Sequence, residues 1–261
     1  MRLFCRSDNR NALLRQCVSL GVGLALIAAL LLLPDSAEAR RYRSTLSFSG
    51  SLNFVSDYIF RGVSRSNSQS TIQGDLGLNI TVYGNLRFGL WGAGIAGGVS
   101  EMREYASYTL PLSGGALQFG VTKYTFPGLD SPTADETDNS NIPDAEFNEQ
   151  WIGFSSTLAR ILTLGVVYYD TQTSNSDARA SYSELHIRIP FGLWVRYGLE
   201  GSDVSHTEVG YSFKLNRLTL GFTYHDVESR TSSSEIGGIW SSLRTGNYPS
   251  EDVVFSITAG F

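Results

Sequence analysis

The fold class is decided by Thr71-Ile72-Gln73-Gly74-Asp75-Leu76-Gly77-Leu78-Asn79-Ile80-Thr81-Val82, because apolar and polar side chains alternate along it. Apolar residues such as Ile72 and Leu78 occupy one parity, and polar residues such as Asp75 and Asn79 occupy the other. Alternation with a period of two predicts a β-strand with one apolar and one polar face.

The same alternation continues from about residue 45 to Phe261, and it predicts about twelve strands. It is less regular at residues 150–158 and at residues 102–110, where Glu104 falls on the apolar parity. No apolar run after Leu33 approaches the roughly 20 residues of a membrane helix. A membrane protein without such helices must close its sheet, because lipid offers no hydrogen bonds to free strand edges. The sequence therefore predicts an all-β, transmembrane antiparallel barrel of the outer-membrane type.

Connection lengths between the predicted strands alternate between short and long. Short turns are predicted at residues 83–85, 158–161, 190–192 and 215–217, and longer polar loops at residues 62–69, 97–100, 127–148, 171–178, 201–205 and 227–250. Outer-membrane barrels place short turns in the periplasm and longer loops outside. The alternative is a soluble β-sandwich or lipocalin-like cup, in which the apolar face would point inward.

The first 39 residues have the layout of a signal peptide. A basic start precedes an uncharged apolar run at residues 18–33, and Ala37-Glu38-Ala39 forms a cleavage signature. Cleavage after Ala39 leaves residues 40–261 as one barrel domain without cysteine. The apolar run is shorter than a bilayer-spanning helix, and an uncleaved N-terminal anchor is the alternative.

The opening motif is Ser56-Asp57-Tyr58-Ile59-Phe60-Arg61-Gly62-Val63-Ser64-Arg65-Ser66, followed by Ile72-Gln73-Gly74. It resembles the opening signature of the TorF-type family of porin-like outer-membrane proteins, with Arg65 where that family commonly has Gln. The segment Tyr124-Thr125-Phe126-Pro127-Gly128 is similar to the family's second motif. The resemblance implies a porin-like role without a settled solute, and it supplies no catalytic residues.

We expect the first strand to run through this motif, with Tyr58 and Phe60 on the same apolar face as Phe54. Asp57 and Arg61 then share the polar face about 13 Å apart, so each needs partners on neighbouring strands. Two readings stay open, a latch that holds the first hairpin and a site that contacts solute. The motif and latch candidates are Asp57, Tyr58, Phe60, Arg61, Gly62 and Asp75, with Gly62 letting the chain leave the strand.

Charged residues on the polar parity are predicted to line a narrow pore, because twelve strands enclose less space than a sixteen-stranded porin. These candidates are Arg87, Arg103, Glu184, Arg188, Arg196, Glu208 and Lys214. Arg188 and Arg196 are expected on one inner wall, where they attract anions unless Glu184 and Glu200 neutralise them. The mixture of signs does not settle an ion preference.

Catalysis, metal binding and cofactors are not predicted from the residues. His225-Asp226 is the nearest approach to a base with its orienting acid, and a solvated histidine at a strand end is the expected state. No Cys/His spacing suits zinc, and the acidic stretch at residues 130–149 is expected to be a solvated loop. The chain has a net charge of −5 and no basic stripe, which argues against nucleic acid.

The reading from sequence is an outer-membrane, porin-like channel for passive or weakly selective passage of small solutes. A non-conducting structural or adhesive barrel and an outer-membrane hydrolase are the alternatives. The expected partners are membrane lipids and lipopolysaccharide, and the barrel-assembly machinery through the terminal Phe261.

Overall fold

A computed structural model describes residues 45–95, 98–127, 146–159, 161–173, 179–200, 204–229 and 251–261. Its strands are β1 (Thr45–Val55), β2 (Ile59–Phe60), β3 (Val63–Ser64), β4 (Thr71–Thr81), β5 (Asn85–Gly94), β6 (Ser100–Leu112), β7 (Gly115–Thr125), β8 (Phe147–Leu158), β9 (Leu162–Thr173), β10 (Arg179–Arg188), β11 (Leu193–Glu200), β12 (Val204–Leu215), β13 (Leu218–Ser229) and β14 (Glu251–Gly260). Within these ranges, no helix is both long enough and apolar enough to cross a membrane.

Twelve of these strands form one closed antiparallel barrel, in which β1 pairs with β14 on one side and with β4 on the other. At the closure, Leu52 lies opposite Ala259, and Phe54 lies opposite Ile257. Backbone bonds in both directions between Gly50 and Phe261, each 2.9 Å, extend the seam to the last residue. The predicted fold class and the predicted strand number are confirmed.

Large apolar side chains cover the outer face of the barrel. Exposed examples are Leu46, Phe48, Leu52, Ile72, Leu76, Leu90, Phe119, Val121, Tyr168, Tyr211, Phe222 and Val253. Polar and charged side chains of the opposite parity point inward. A soluble cup would have the reverse distribution, so the outward apolar face excludes that alternative. Glu104 lies on this outer face, opposite Leu90 and Lys123, as its parity predicts.

One end of the barrel, here called the short-turn end, carries tight connections. The predicted turns at residues 83–85 and 215–217 join β4 to β5 and β12 to β13, and Pro190–Gly192 forms a 3-10 turn before β11. Phe191 and Asn216 adopt positive φ at these turns. The other end is called the long-loop end. Four of the longer loops predicted there span residues 127–148, 171–178, 201–205 and 227–250. Of these, residues 128–145, 174–178, 201–203 and 230–250 lie outside the described residues, as does the predicted signal peptide.

The connection from β1 to β4 enters the barrel and does not form an external loop. β1 ends at Val55, and residues 56–70, here called the inner hairpin, fold into the lumen at the long-loop end with β2 and β3 as their two short strands. They pack on inward residues of the wall. The resulting buried apolar cluster contains Val55, Tyr58, Ala93, Ile95, Val99, Tyr124, Phe126, Phe147 and Val254.

Candidate functional site

The tip of the inner hairpin is a two-residue turn. Phe60 pairs with Val63, and Arg61 and Gly62 between them have φ angles of 51° and 80°. Type I′ turns, which match the twist of the flanking strands, have positive φ at both central residues, and Gly adopts such a φ without strain. A Cβ atom at Gly62 would lie 2.8 Å from Cγ2 of Val227 and 3.0 Å from Cβ of His206. Glycine therefore serves both the turn and its close approach to β12 and β13.

The base of the inner hairpin is held by hydrogen bonds among residues of the opening motif itself. One carboxylate oxygen of Asp57 accepts hydrogen bonds from the hydroxyls of Ser64 (2.7 Å) and Ser66 (2.6 Å). The Ser66 hydroxyl also accepts from the Tyr58 N–H at 2.9 Å, and the Arg65 N–H donates to the Tyr58 carbonyl at 2.7 Å. Hydrogen bonds among residues of the motif therefore hold the hairpin together.

Arg65 anchors the hairpin to β6. Its guanidinium lies 3.2 Å from Oε2 of Glu101, and the two side chains are only 2 % and 0 % exposed. Arg103 and the Tyr58 hydroxyl also donate to the Glu101 carboxylate, at 2.7 and 3.2 Å. Burial raises the pKa of the Tyr58 phenol above its ordinary value, so the phenol keeps the proton that it donates. Two cations and one phenol therefore satisfy a single buried carboxylate.

Arg61 anchors the tip of the hairpin to β8, on the opposite side of the lumen from β1. It forms a 2.8 Å ion pair with Glu149, and the side chains are 7 % and 2 % exposed. Its guanidinium lies 4.5 Å from the Tyr169 ring and 4.2 Å from the Tyr182 ring. Buried ion pairs are tolerated where further hydrogen bonds satisfy both ions. Glu149 receives such bonds from the hydroxyls of Tyr124 (3.0 Å) and Thr171 (2.8 Å).

Three expectations about the motif are corrected by this geometry. Tyr58 and Phe60 lie in the lumen and not on the apolar outer face, because the first strand ends at Val55 and the chain turns inward. Asp57 and Arg61 consequently do not share one strand face. Asp75 is not part of their cluster, since β4 places it in a separate network with Arg87.

Glu149 was expected in a solvated acidic loop, and this expectation is wrong, because β8 begins at Phe147 and directs Glu149 into the lumen. Sequence reasoning also did not identify Glu101, Tyr124 or Tyr182 as partners of the motif. The inward parity of Glu101 and Glu149 near strand ends was a usable signal. Most of residues 130–149 lie outside the described residues.

A second network lies on the wall nearer the short-turn end. Arg87 pairs with Asp75, and its side chain also donates to the hydroxyls of Tyr105 and Ser49, both at 2.9 Å. The Arg87 and Asp75 side chains are 27 % and 23 % exposed. Solvent therefore reaches this part of the lumen, in contrast to the buried pairs of the inner hairpin.

The third network joins β10, β11 and β12. Arg196 bonds to Glu208 at 2.9 Å and lies 3.4 Å from Glu184, so its charge is matched within the wall. Glu184 is one of the two neutralising carboxylates that the sequence predicts, and Glu208 was not predicted as a partner. Glu208 lies directly opposite Arg196 in the β11–β12 register. His206 and His225 also face Glu208, at 3.6 and 3.4 Å.

The other pore-lining candidates divide between the two halves of the lumen. Arg103 belongs to the buried hairpin contact, whereas Arg188 and Lys214 lie on the inward parity near the short-turn end and are exposed. His225 is buried against Glu208, so the expectation of a solvated histidine is wrong. Asp226 follows it on the opposite face of β13. Among the described residues, no group of His, Cys, Asp and Glu is arranged to hold a metal ion.

A family model described as "Bacterial protein of unknown function (Gcw_chp)" matches residues 39–229. No curated protein matches the chain by sequence.

The similar solved structures are outer-membrane channels at low sequence identity. The TodX deltaS2S3 mutant monoaromatic hydrocarbon channel is 11 % identical with a TM-score of 0.48, over 84 % of this chain and 90 % of that one. OmpF of Salmonella typhi, in complex with daunomycin, has 11 % identity and a TM-score of 0.41, over 84 % and 98 %. The anion-selective porin from Comamonas acidovorans has 9 % identity and a TM-score of 0.39, over 84 % and 98 %. The assignment of the barrel fold depends on the strand pairing described above and not on these similarities.

Proposed function

The chain belongs to the Gcw_chp family of bacterial proteins of unknown function, and we propose that it is an outer-membrane, porin-like channel for small solutes. The observation that carries the proposal is the distribution of side chains on the closed barrel. Its outer face is apolar and exposed, which suits contact with lipid, and its inner face is polar and partly reached by solvent. A closed barrel leaves no strand edge without hydrogen bonds in lipid.

The inner hairpin makes the proposed channel narrow. It crosses the lumen from β1 to β6 and β8, where Glu101 and Glu149 are almost fully buried. Passage past this level is then limited to small solutes or requires movement of the hairpin. The same observation favours a second candidate, a non-conducting barrel in which the hairpin is a permanent plug.

Planar-bilayer recording separates the two candidates. Purified protein is compared with an Arg65→Met variant, which removes one anchor of the hairpin while Glu101 keeps Arg103 as its cation and is not left buried alone. The channel proposal expects small unitary currents from the wild type and larger currents from the variant. Heat-modifiable gel migration shows that each barrel is intact. Intact barrels without current in both proteins would establish the non-conducting candidate.

We further propose that the chain lies in the outer membrane, after cleavage of the signal peptide behind Ala39. We also propose that it is a member of the TorF-type group within this family. Terminal Phe261, whose side chain is 74 % exposed, is the proposed contact for the barrel-assembly machinery. Lipids and lipopolysaccharide are the proposed surroundings, and the proposed role is transport without catalysis. N-terminal sequencing of the outer-membrane fraction tests the location. An N-terminus at Arg40 is expected, and intact residues 1–39 or recovery from the periplasm would contradict it.

A further inference from the structure

Negative charge is distributed unevenly along the axis of the described lumen. The inward carboxylates closest to the short-turn end are those of Asp75, Glu184 and Glu208. Asp75 is bonded to Arg87, and the two glutamates share Arg196. Beyond these residues toward the short turns, the inward positions of the described strands contain no Asp or Glu. The inward wall next to the short turns therefore carries no negative charge of its own.

Two cations lie on this stretch of the wall. Arg188 is on the inward parity of β10 and Lys214 on that of β12, and both residues are exposed. Neither forms an ion pair with a carboxylate in the part of the chain that the structure describes. Glu184 is four residues from Arg188 along the same strand, about 13 Å, which is too far for a direct pair. The short-turn half of the lumen therefore has a net positive charge.

The other inward cations of the described strands are already matched. Arg87 is held by Asp75, and Arg103 by Glu101. Arg196 is held by two carboxylates, and its guanidinium also lies 5.3 Å from the centre of the Trp194 ring. The unmatched positive charge is therefore that of Arg188 and Lys214.

Each of these two cations has a threonine beside it. Thr163 lies directly opposite Arg188 in the β9–β10 register, and Thr219 lies directly opposite Lys214 in the β12–β13 register. Residues directly opposite each other in an antiparallel pair have Cβ atoms about 4.5–5.5 Å apart. The hydroxyls of Thr163 and Thr157 share one hydrogen bond of 3.0 Å, which leaves one of their two protons available to a ligand. Both positions thus combine a cation with a hydroxyl donor.

The two cations face the same part of the lumen. Trp194 lies opposite Arg188 on one side and opposite Gly210 on the other. Lys214 is thus two strands across from Arg188 and four residues along, which places their Cα atoms about 16 Å apart. Long side chains that extend inward from these positions can contact one small ligand together.

From the unmatched cations, the hydroxyl donors beside them and the carboxylate-free wall, we propose that the short-turn half of the lumen binds small multivalent oxyanions, through carboxylate or phosphate oxygens. The planar guanidinium of Arg188 fits two oxygens of such a group, and the Lys214 ammonium supplies a second charge. A narrow lumen focuses this field between low-dielectric walls. The inference rests on the proposed channel function and names its solute class.

Isothermal titration calorimetry on the purified, detergent-solubilised barrel tests binding without requiring conduction. The probes are succinate and its neutral analogue succinamide, which keeps the carbon chain but lacks the charges. Succinate should bind, its affinity should fall as sodium chloride is raised, and succinamide should not bind measurably. Equal binding of the two probes, or no binding of succinate, would overturn the proposal.

Inorganic phosphate distinguishes the two sources of oxyanion. If phosphate displaces succinate at constant ionic strength, the site accepts both groups. If succinate binding is unaffected by phosphate, the site is restricted to carboxylates. Either result supports an oxyanion site.

Matched variants assign the binding to the two cations. Arg188→Gln and Lys214→Gln are each expected to weaken succinate binding by about threefold to tenfold, because a charge-assisted hydrogen bond is lost. Arg188→Lys keeps the charge and should bind more tightly than Arg188→Gln. Arg179→Gln removes the same charge from the outward parity of β10 and should bind like the wild type. Heat-modifiable gel migration checks that each barrel is intact. Unchanged affinity in the double Gln variant, or an equal loss in Arg179→Gln, would contradict the proposal.

Bilayer recording on the same proteins distinguishes this inference from the channel proposal. Succinate binding without current would leave the oxyanion site standing and remove the channel function. Current without succinate binding would leave the channel and remove the oxyanion site.

Discussion

Arg61 shows how a single residue fixes the inner hairpin. It carries a charge into a nearly water-free position, where Glu149 and the surrounding aromatic rings compensate for the lost hydration. A buried pair of this kind contributes little net stability compared with an apolar pair of the same size, but loss of one partner leaves the other ion stranded.

We therefore expect Arg61→Met to destabilise the hairpin by about 3–5 kcal/mol, because the Glu149 carboxylate remains buried without its cation. The temperature at which the folded gel band disappears should fall, and channel conductance should rise. The double variant Arg61→Met, Glu149→Gln should recover part of the loss. Wild-type behaviour of the single variant would show that the ion pair does not hold the hairpin.

Gly62 combines a positive φ angle with close contact to the wall, whereas Gly98, with φ of 77°, has no described atom within 4 Å of a Cβ position. Ala at either position costs about 1–2 kcal/mol for the left-handed backbone. Only Gly62→Ala should add a clash with Val227 and His206. Gly62→Ala is expected to lower the gel-transition temperature more than Gly98→Ala, and equal shifts would contradict the close packing.

At the scale of the strand, β7 places adjacent residues in two different environments, the lipid-facing outer surface and the lumen. Phe119 is on the outer face, while Gln118 beside it faces the lumen. Parity alone assigns these environments, because successive side chains of a strand point to opposite faces.

Phe119→Arg should destabilise the barrel in lipid by about 2–4 kcal/mol, because it places a guanidinium on the lipid-facing surface. Gln118→Arg should be tolerated, since a charge in the lumen stays hydrated. Folding yields into lipid vesicles, followed by gel migration, measure the difference. Equal yields for the two variants would contradict a membrane barrel with this parity.

The inner hairpin was the element that alternation could not predict. Apolar residues at Tyr58 and Phe60 continue the parity of Phe54, so the pattern fits a longer strand. The signals for a hairpin were Arg61-Gly62 between Phe60 and Val63, and the serines that match Asp57. These signals lead to an inward hairpin only where the barrel wall supplies Glu101 and Glu149. Neither residue lies in the local sequence of the motif.

At the scale of the whole molecule, cations in the lumen pair with carboxylates on the same part of the barrel wall. Arg196 lies between Glu184 and Glu208. Arg188 lies nearer the short-turn end, outside this cluster. The selectivity of the proposed channel should then depend on which of these cations is removed.

Arg196→Ser leaves two carboxylates facing the lumen without their common cation, so the reversal potential in a salt gradient should shift toward cation preference. Arg188→Ser removes an exposed charge and should shift it less. A loss of heat stability in Arg196→Ser without a change in reversal potential would assign Arg196 to wall pairing alone.

The sequence by itself determined the barrel, its strand number, its short turns and the inward parity of the pore-lining candidates. These follow from local rules, because a period of two fixes which face each side chain takes and lipid permits only a closed sheet. Tertiary structure alone decided that residues 56–70 enter the lumen, that Glu101 and Glu149 meet Arg65 and Arg61, and that Glu208 joins Glu184 in holding Arg196. These contacts depend on the register and curvature of distant strands, which set partners far apart in the chain and leave no periodic trace in the sequence.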